Sequence, residues 1–241
     1  MKKKIIITAA VVCTLIVALM ITARITGMFL IFSIPTPANE PNVRVGDKIY
    51  VSNIKDPVPY NFVVITSSYA DSINMASMPD FKPGSHYFYR LCGRPGDILE
   101  MKNGLLFVNN KNFDEKINLN NQYMISSAES DLIEQDDMIA MEKSGGVYQI
   151  SKDFTLVTLD SVLIKKYSAK IKSATYIMAH SEYGPFKWNN KDQQWTTDNF
   201  GPLKIPADCY FVLGDNRHNA LDSRYIGFVK KENIKGVVLN K

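Results

Sequence analysis

An uncharged apolar run of 19 residues, Ile5–Ala23, stands directly behind Lys2, Lys3 and Lys4 and is closed by Arg24. As a helix rising 1.5 Å per residue it spans about 28 Å, close to the hydrocarbon thickness of a bilayer. The lysine cluster favours keeping the N-terminus on the cytoplasmic side, which sends the rest of the chain outside. Two rival readings are weaker. A cleaved leader would end at Ala23, but Ile21 spoils the small-x-small pattern, and the run is long for a leader core. A lipid-modified Cys13 would follow the bulky Val12 in mid-run. Residues 1–24 are therefore expected to be a cytoplasmic tail and retained single-pass anchor in membrane lipid, with an extracytoplasmic folded region behind it.

Of the net charge of +4, three charges are Lys2–Lys4, and no basic run recurs, so a nucleic-acid partner is not expected. Hydrophobic residues make up 46% of the chain, enough for a sizeable core. The cysteines at 13, 92 and 209 have no metal-ligand spacing and give no disulfide framework. Cys92 and Cys209 sit in strand-like contexts and read as buried thiols, with a bond between them as the alternative. No metal or cofactor is expected.

After the anchor, Ile25–Ser33 is apolar and β-rich. It reads as a buried strand or as a surface dipping into the headgroup region. In Ile34–Asp47, three prolines within eight positions exclude helix and are expected to hold the backbone extended. Gly46-Asp47 then turns the chain into the strand-like Lys48–Val51. A proline-braced segment beside the membrane suits edge-to-edge peptide binding, which makes Ile34, Pro35, Thr36, Pro37 and Ala38 candidates for a substrate groove. Phe62–Ser67 reads as a strand, Ser68–Ser85 as a loop, and Tyr87–Cys92 as a strand entering a Pro95-Gly96 turn. Ile98–Met101 and Leu105–Val108 form a hairpin around Asn103-Gly104, and Asn109-Asn110 suggests another turn. Further on, Gly145-Gly146 marks a turn, Phe154–Leu159 a strand, and 161–173 a short amphipathic helix. The aromatic stretch from Trp188 to Pro202 reads as small-domain core, and no repeat is evident.

Three motifs, in order, resemble the type I signal peptidases. The first is Ile34-Pro35…Pro41…Gly46-Asp47, in register with the segment that carries the family's nucleophilic serine. The second is Arg90-Leu91-Cys92-Gly93-Arg94-Pro95-Gly96-Asp97. The third is Gly214-Asp215-Asn216-Arg217-His218-Asn219-Ala220-Leu221-Asp222-Ser223-Arg224, the long closing motif. Ser77-Met78-Pro79 mimics the family's serine signature but lacks its flanking residues. The resemblance implies a mostly β fold: an antiparallel core domain of residues 25–108 and 203–241, with a smaller β-domain of residues 109–202 inserted, carried on one transmembrane helix. It also implies signal-peptide-bearing precursors as substrates.

The same resemblance places the nucleophilic serine at Ala38, the general-base lysine at Tyr89 and the lysine-orienting serine at Ala220. A serine–lysine protease needs a hydroxyl, an amine kept neutral by burial, and a group to aim that amine. None of the three positions carries its group. The retained Gly46, Asp47, Arg90, Gly93, Pro95, Gly96, Asp97, Gly214, Asp215, Asn216, Arg217, Asp222 and Arg224 read as scaffold, with Asp222 and Arg224 in a charge network. Thr36 or Ser33 as a substitute nucleophile and His218 as a substitute base are the residues a rewired site would use; a lone histidine in a polar loop otherwise reads as solvated surface. Three readings stand: a silent homologue that binds precursors or regulates an active peptidase, a working peptidase with unusual catalytic residues, and a structural envelope protein.

Overall fold

The computed structural model describes residues 2–178 and 195–241, so Trp188-Asn189-Asn190 lies outside the described residues. The apolar run forms helix α1, Lys2–Ile25, long and apolar enough to cross a membrane, with none of its side chains buried. Leu30–Ser33 follows as strand β1, then Lys48–Ser52 (β2), Phe62–Thr66 (β3), helix α2 (Ser68–Ser77), His86–Gly93 (β4), Ile98–Lys102 (β5), Leu105–Val108 (β6) and Lys111–Asn112 (β7). The chain continues through Asn121–Ser126 (β8), Ser127–Ser130 (α3), Gln135–Lys143 (α4), Val147–Gln149 (β9), Phe154–Leu159 (β10), Ser161–Tyr167 (α5) and Thr175–Tyr176 (β11). Phe200–Lys204 (β12), Cys209–Leu213 (β13), Ser223–Ile226 (α6), Val229–Lys230 (β14) and Ile234–Val238 (β15) complete it.

Among the described residues the strands make three antiparallel sheets, and the fold is mostly β, as expected. A seven-stranded sheet runs β1-β2-β15-β3-β4-β13-β14, and two four-stranded sheets run β12-β5-β6-β7 and β11-β8-β10-β9. Period-2 alternation sends strands β3 and β15 of the large sheet into two cores. Val63 and Ile65 of β3 join Tyr89, Leu91, Tyr210, Val212 and Val237 on one face. Phe62 and Val64 face the other way, onto Ile34, Val43, Ile49, Val51 and Val238. At the far end, Phe211 and Leu213 of β13 turn instead to Cys92, Leu99, Met101, Leu106 and Phe113 beneath the β12-β5-β6-β7 sheet. The third sheet packs its Ile125, Val157 and Leu159 on Met141 of α4 and Tyr167 of α5.

Local chemistry explains most boundaries. The β5–β6 turn uses Asn103 and Gly104 at φ 49° and 79°, the left-handed pair that suits strand twist. Asn109 and Asn110 repeat the device at φ 51° and 64° between β6 and β7. Asp160 caps α5, accepting from the Leu163 amide at 2.8 Å, so the helix read across 161–173 is present but stops at Tyr167. All three cysteines are free, Cys92 buried and Cys209 half-buried.

Two expectations need correction. Ser68–Ser77 is a helix rather than a loop: Ser67 accepts from the Ala70 amide at 3.1 Å, Asp71 sits in the first turn, and Ala70 is buried in the core. Helices α3 and α4 carry little sequence signal, since α4 buries only Met141 and α3 only Ser130. The 34–47 segment is not extended past Pro35. It coils into successive turns over 36–43, with the Glu40 amide donating to Pro37 O at 3.0 Å and that of Val43 to Asn39 O at 3.0 Å. Prolines forbid helix here, as expected, but they start turns as readily as they hold strands.

One buried ion pair ties two sheets together. Arg217 offers Nη1 and Nη2 to the two carboxylate oxygens of Asp114, at 2.8 and 2.5 Å, with both side chains nearly inaccessible. Asp114→Ala strands the guanidinium in the interior. Denaturant unfolding of the full chain in detergent is expected to lose about 3–5 kcal/mol. Lys241→Ala, which removes a partly exposed pair with Asp47, is expected to lose about 1 kcal/mol or less.

Candidate functional site

Ala38, Tyr89 and Ala220, far apart in sequence, belong to one core cluster. Ala38, Ala220 and Leu221 lie partly buried against the core face that contains Tyr89. Gly214 is the hinge of this contact. A Cβ built there would overlap the Ala220 methyl and lie 2.5 Å from Ala38 O, so only glycine lets the closing motif come this close. The Asn216 amide donates to Ala38 O at 3.0 Å and its side-chain Nδ2 to Pro37 O at 3.2 Å. These bonds pin the turn that holds Ala38 to the closing loop.

Tyr89 is delivered by β4, opposite Val63 of β3. It is 3% exposed, and its hydroxyl donates to Leu221 O at 2.6 Å. Burial, and then the charge of Asp222, push its phenol well above the usual range, so it is held neutral with its proton committed to a carbonyl. Of the other groove candidates, Ile34 is buried in the core, Pro35 and Thr36 are exposed, and Pro37 is half-buried. Thr36 therefore presents a hydroxyl near Ala38 on the outer side of the turn.

The remaining motif residues build the frame. Arg90 grips Asp215 with Nε and Nη2 at 2.7 and 2.6 Å, and its Nη1 donates to Tyr60 O. Asp222 caps α6, accepts from the Gly214 amide at 3.0 Å, and pairs with Arg224 Nε and Nη2 at 2.9 and 2.8 Å. Arg224 also donates to Arg217 O at 2.5 Å. A guanidinium so paired has its pKa raised despite full burial.

Gly46-Asp47 and Gly96-Asp97 are two copies of one turn. In each, aspartate Oδ2 accepts from the amide of the arginine three residues earlier, Arg44 at 3.1 Å and Arg94 at 2.8 Å. In each, glycine takes φ near +90° and the Gly and Asp backbones clasp an isoleucine: Gly46 and Asp47 clasp Ile34, Gly96 and Asp97 clasp Ile205. Pro95 rigidifies the second copy. Gly93 abuts Ile205 so closely that a Cβ would lie 2.5 Å from its Cδ1. The four-residue echo Arg-x-Gly-Asp is visible in the sequence, but it is too short to signal a repeat.

His218 departs from the expectation of a solvated surface residue. It is half-buried, and both ring nitrogens are engaged. The Gln122 amide donates to Nδ1 at 3.2 Å, which fixes the proton on Nε2, and Nε2 donates to Ile177 O at 2.7 Å. The ring also meets Tyr176 edge-on at 5.4 Å. The other residues missed at the sequence level are Asn42, whose Nδ2 donates to Asp215 Oδ2 at 2.8 Å, and Asn120, whose backbone pairs with the closing loop. These contacts join positions 90 or more residues apart, beyond any local pattern.

The family described as signal peptidase, peptidase S26, matches residues 5–240. Among curated relatives, signal peptidase I P of Bacillus subtilis subsp. natto is 28% identical over 220 residues, covering 90% of this chain and 84% of that one. Signal peptidase I of Buchnera aphidicola subsp. Schizaphis graminum is 27% identical over 215 residues, covering 85% of this chain and 65% of that one. A crystal structure of a signal peptidase I from Enterococcus faecalis V583 overlaps at a TM-score of 0.35 and 20% identity, over 77% of this chain and 98% of that one.

Burial lowers the His218 pKa below its ordinary value, assisted by Arg224 and Arg217 and opposed by the Ile177 carbonyl and Asp198. The neutral ring is thus favoured by folding, and the unfolded chain takes up the proton first as pH falls. The stability this contributes is fully present above about pH 6.5 and is lost as the pH drops through the lowered folded value. Thermal melts of the full chain are expected to show a steeper fall from pH 7 to pH 5 than those of His218→Gln, whose amide offers the same acceptor and donor without titrating.

Proposed function

The chain belongs to the signal peptidase family, peptidase S26, and on that premise we propose that it is a silent member that binds signal-peptide-bearing precursors without cutting them. In this reading α1 is a single-pass anchor with its N-terminus cytoplasmic. Residues 25–108 and 203–241 form the extracytoplasmic core, and residues 109–202 are an inserted part. Binding precursors in this way would let the protein regulate an active peptidase.

The observation that carries the reading is the meeting of Ala38, Tyr89 and Ala220 at one place. By the family resemblance, these positions belong to the nucleophile, the base and the group that orients it. Here they hold a methyl group, a neutral phenol bonded to Leu221 O, and a second methyl group. A phenol that is buried, neutral and already donating is a poor acceptor for a hydroxyl proton. Catalytic parts act as a unit, so loss of one costs on the order of 10⁶ in rate. The frame around them, from Arg90–Asp215 to Asp222–Arg224, is intact, and this favours retained binding over a drifted fold.

The active-enzyme reading needs a new nucleophile and a new base. Thr36 is exposed and supplies a hydroxyl, but His218, the candidate base, has both nitrogens committed to backbone partners.

The deciding experiment is cleavage of a precursor with an Ala-x-Ala site by the purified full chain in detergent. The protein as it stands is expected to leave the precursor whole. Ala38→Ser, Tyr89→Lys and Ala220→Ser together are expected to raise cleavage by at least ~10³-fold over it. Cutting by the unaltered protein, abolished by Thr36→Val, would replace this reading with the active one.

A further inference from the structure

Strand β11 leaves its sheet through a histidine. Thr175 and Tyr176 pair with Met124 and Tyr123 of β8, which puts Ile177 opposite Gln122. Residues facing each other in this way on antiparallel strands normally exchange two backbone bonds. One is made, from the Ile177 amide to Gln122 O at 3.0 Å. The return bond is replaced by the His218 ring: the Gln122 amide donates to Nδ1 at 3.2 Å, and Nε2 donates to Ile177 O at 2.7 Å. The imidazole is thus spliced into the β8–β11 ladder from the closing loop.

Only the neutral ring can do this. It offers one acceptor and one donor, whereas imidazolium offers two donors. A proton on Nδ1 points at the Gln122 N–H, and flipping the ring merely brings the other N–H to the same place. Strand β11 is poorly built to withstand the loss, being two residues long and at the edge of its sheet. The Tyr176 hydroxyl still donates to Asp198 at 3.0 Å, so opening starts at Ile177 and not along the whole strand.

The charged groups that act on the ring come from two segments. The closing loop brings Arg217, paired with Asp114, and Arg224, paired with Asp222. The 196–199 segment brings Asp198, which is fully buried and lies 3.7 Å from Arg224 Nη1. From β11 comes the Tyr176 phenol, held neutral by burial and by Asp198, and from β8 the uncharged Gln122. Burial and the two guanidiniums oppose protonation; Asp198 and the Ile177 carbonyl favour it.

We propose that His218 is an acid-sensitive latch: protonation of its ring opens the β8–β11 ladder at Gln122 and Ile177 and frees that edge of the sheet from the closing loop. Asn120, whose backbone bonds to Asp215 and Arg217 do not titrate, keeps the start of β8 in place. Acid therefore loosens one edge and leaves the large sheet intact. The latch is a local event beyond the global stability effect of the buried ring, and it stands whether the chain cuts precursors or only binds them.

The test is hydrogen exchange of the full chain in detergent at pH 7 and pH 5, read at single amides by NMR and corrected for the intrinsic pH dependence of exchange. Protection at Gln122 and Ile177 is expected to fall about tenfold or more at pH 5, while Leu91 and Val212 in the large sheet keep theirs. The midpoint is expected to coincide with the titration of the His218 ring, followed by its own proton shifts in the same sample. His218→Gln is expected to stay protected at both pH values; if that variant does not fold, the coincidence of the two midpoints in the unaltered chain decides. The latch is overturned by unchanged protection at Gln122 and Ile177, by a loss that does not track the His218 ring, by the same acid loss in His218→Gln, or by an equal loss at Leu91 and Val212.

Discussion

Guanidinium–carboxylate pairs hold the closing loop, and the rest of the molecule is arranged around that loop. Arg90–Asp215 ties it to β4, Arg217–Asp114 to the β6–β7 region, and Arg224–Asp222 closes it on itself. Buried charges are tolerated only when nearly every donor and acceptor is satisfied. That condition is met here: Asp114 also accepts from the Leu106 amide, Asp222 from the Gly214 amide, and Asp215 from Asn42. Because the pairs are directional, they fix where Gly214, Asn216 and Ala220 stand, and through the Asn216 bonds they fix Ala38 as well.

The frame and the centre of the site follow different rules. At the frame, bidentate geometry and positive-φ glycines leave little freedom: the Arg-x-Gly-Asp turns need glycine for φ and aspartate for the amide three residues back. At the centre, Ala38 and Ala220 pack against the core cluster that contains Tyr89, whose hydroxyl is satisfied by Leu221 O. A tyrosine that fills core volume and spends its hydroxyl on a carbonyl is a stable arrangement.

His218 extends the network outward. By accepting from Gln122 and donating to Ile177 it joins the closing loop to the β11-β8-β10-β9 sheet, and Asn120 makes a parallel backbone link beside it. The β11-β8-β10-β9 sheet is thereby attached at the same loop that holds Gly214 against Ala38.

The sequence by itself determined the apolar helix, the β class, the Asn-Gly hairpin and the three motifs, because each depends on residues within a few positions: uncharged length, period-2 alternation, positive-φ turn residues. It also marked Ala38, Tyr89 and Ala220 as the positions to examine. It misjudged 68–77, where a serine cap and a buried alanine outweighed a polar composition, and 36–43, where prolines initiated turns. Only the tertiary structure decided that His218 is a clamp, that Arg217 answers Asp114, and that Tyr89 spends its proton on Leu221. Those outcomes depend on which donor meets which acceptor across some 40 to 130 residues of chain, and no local pattern encodes such a meeting.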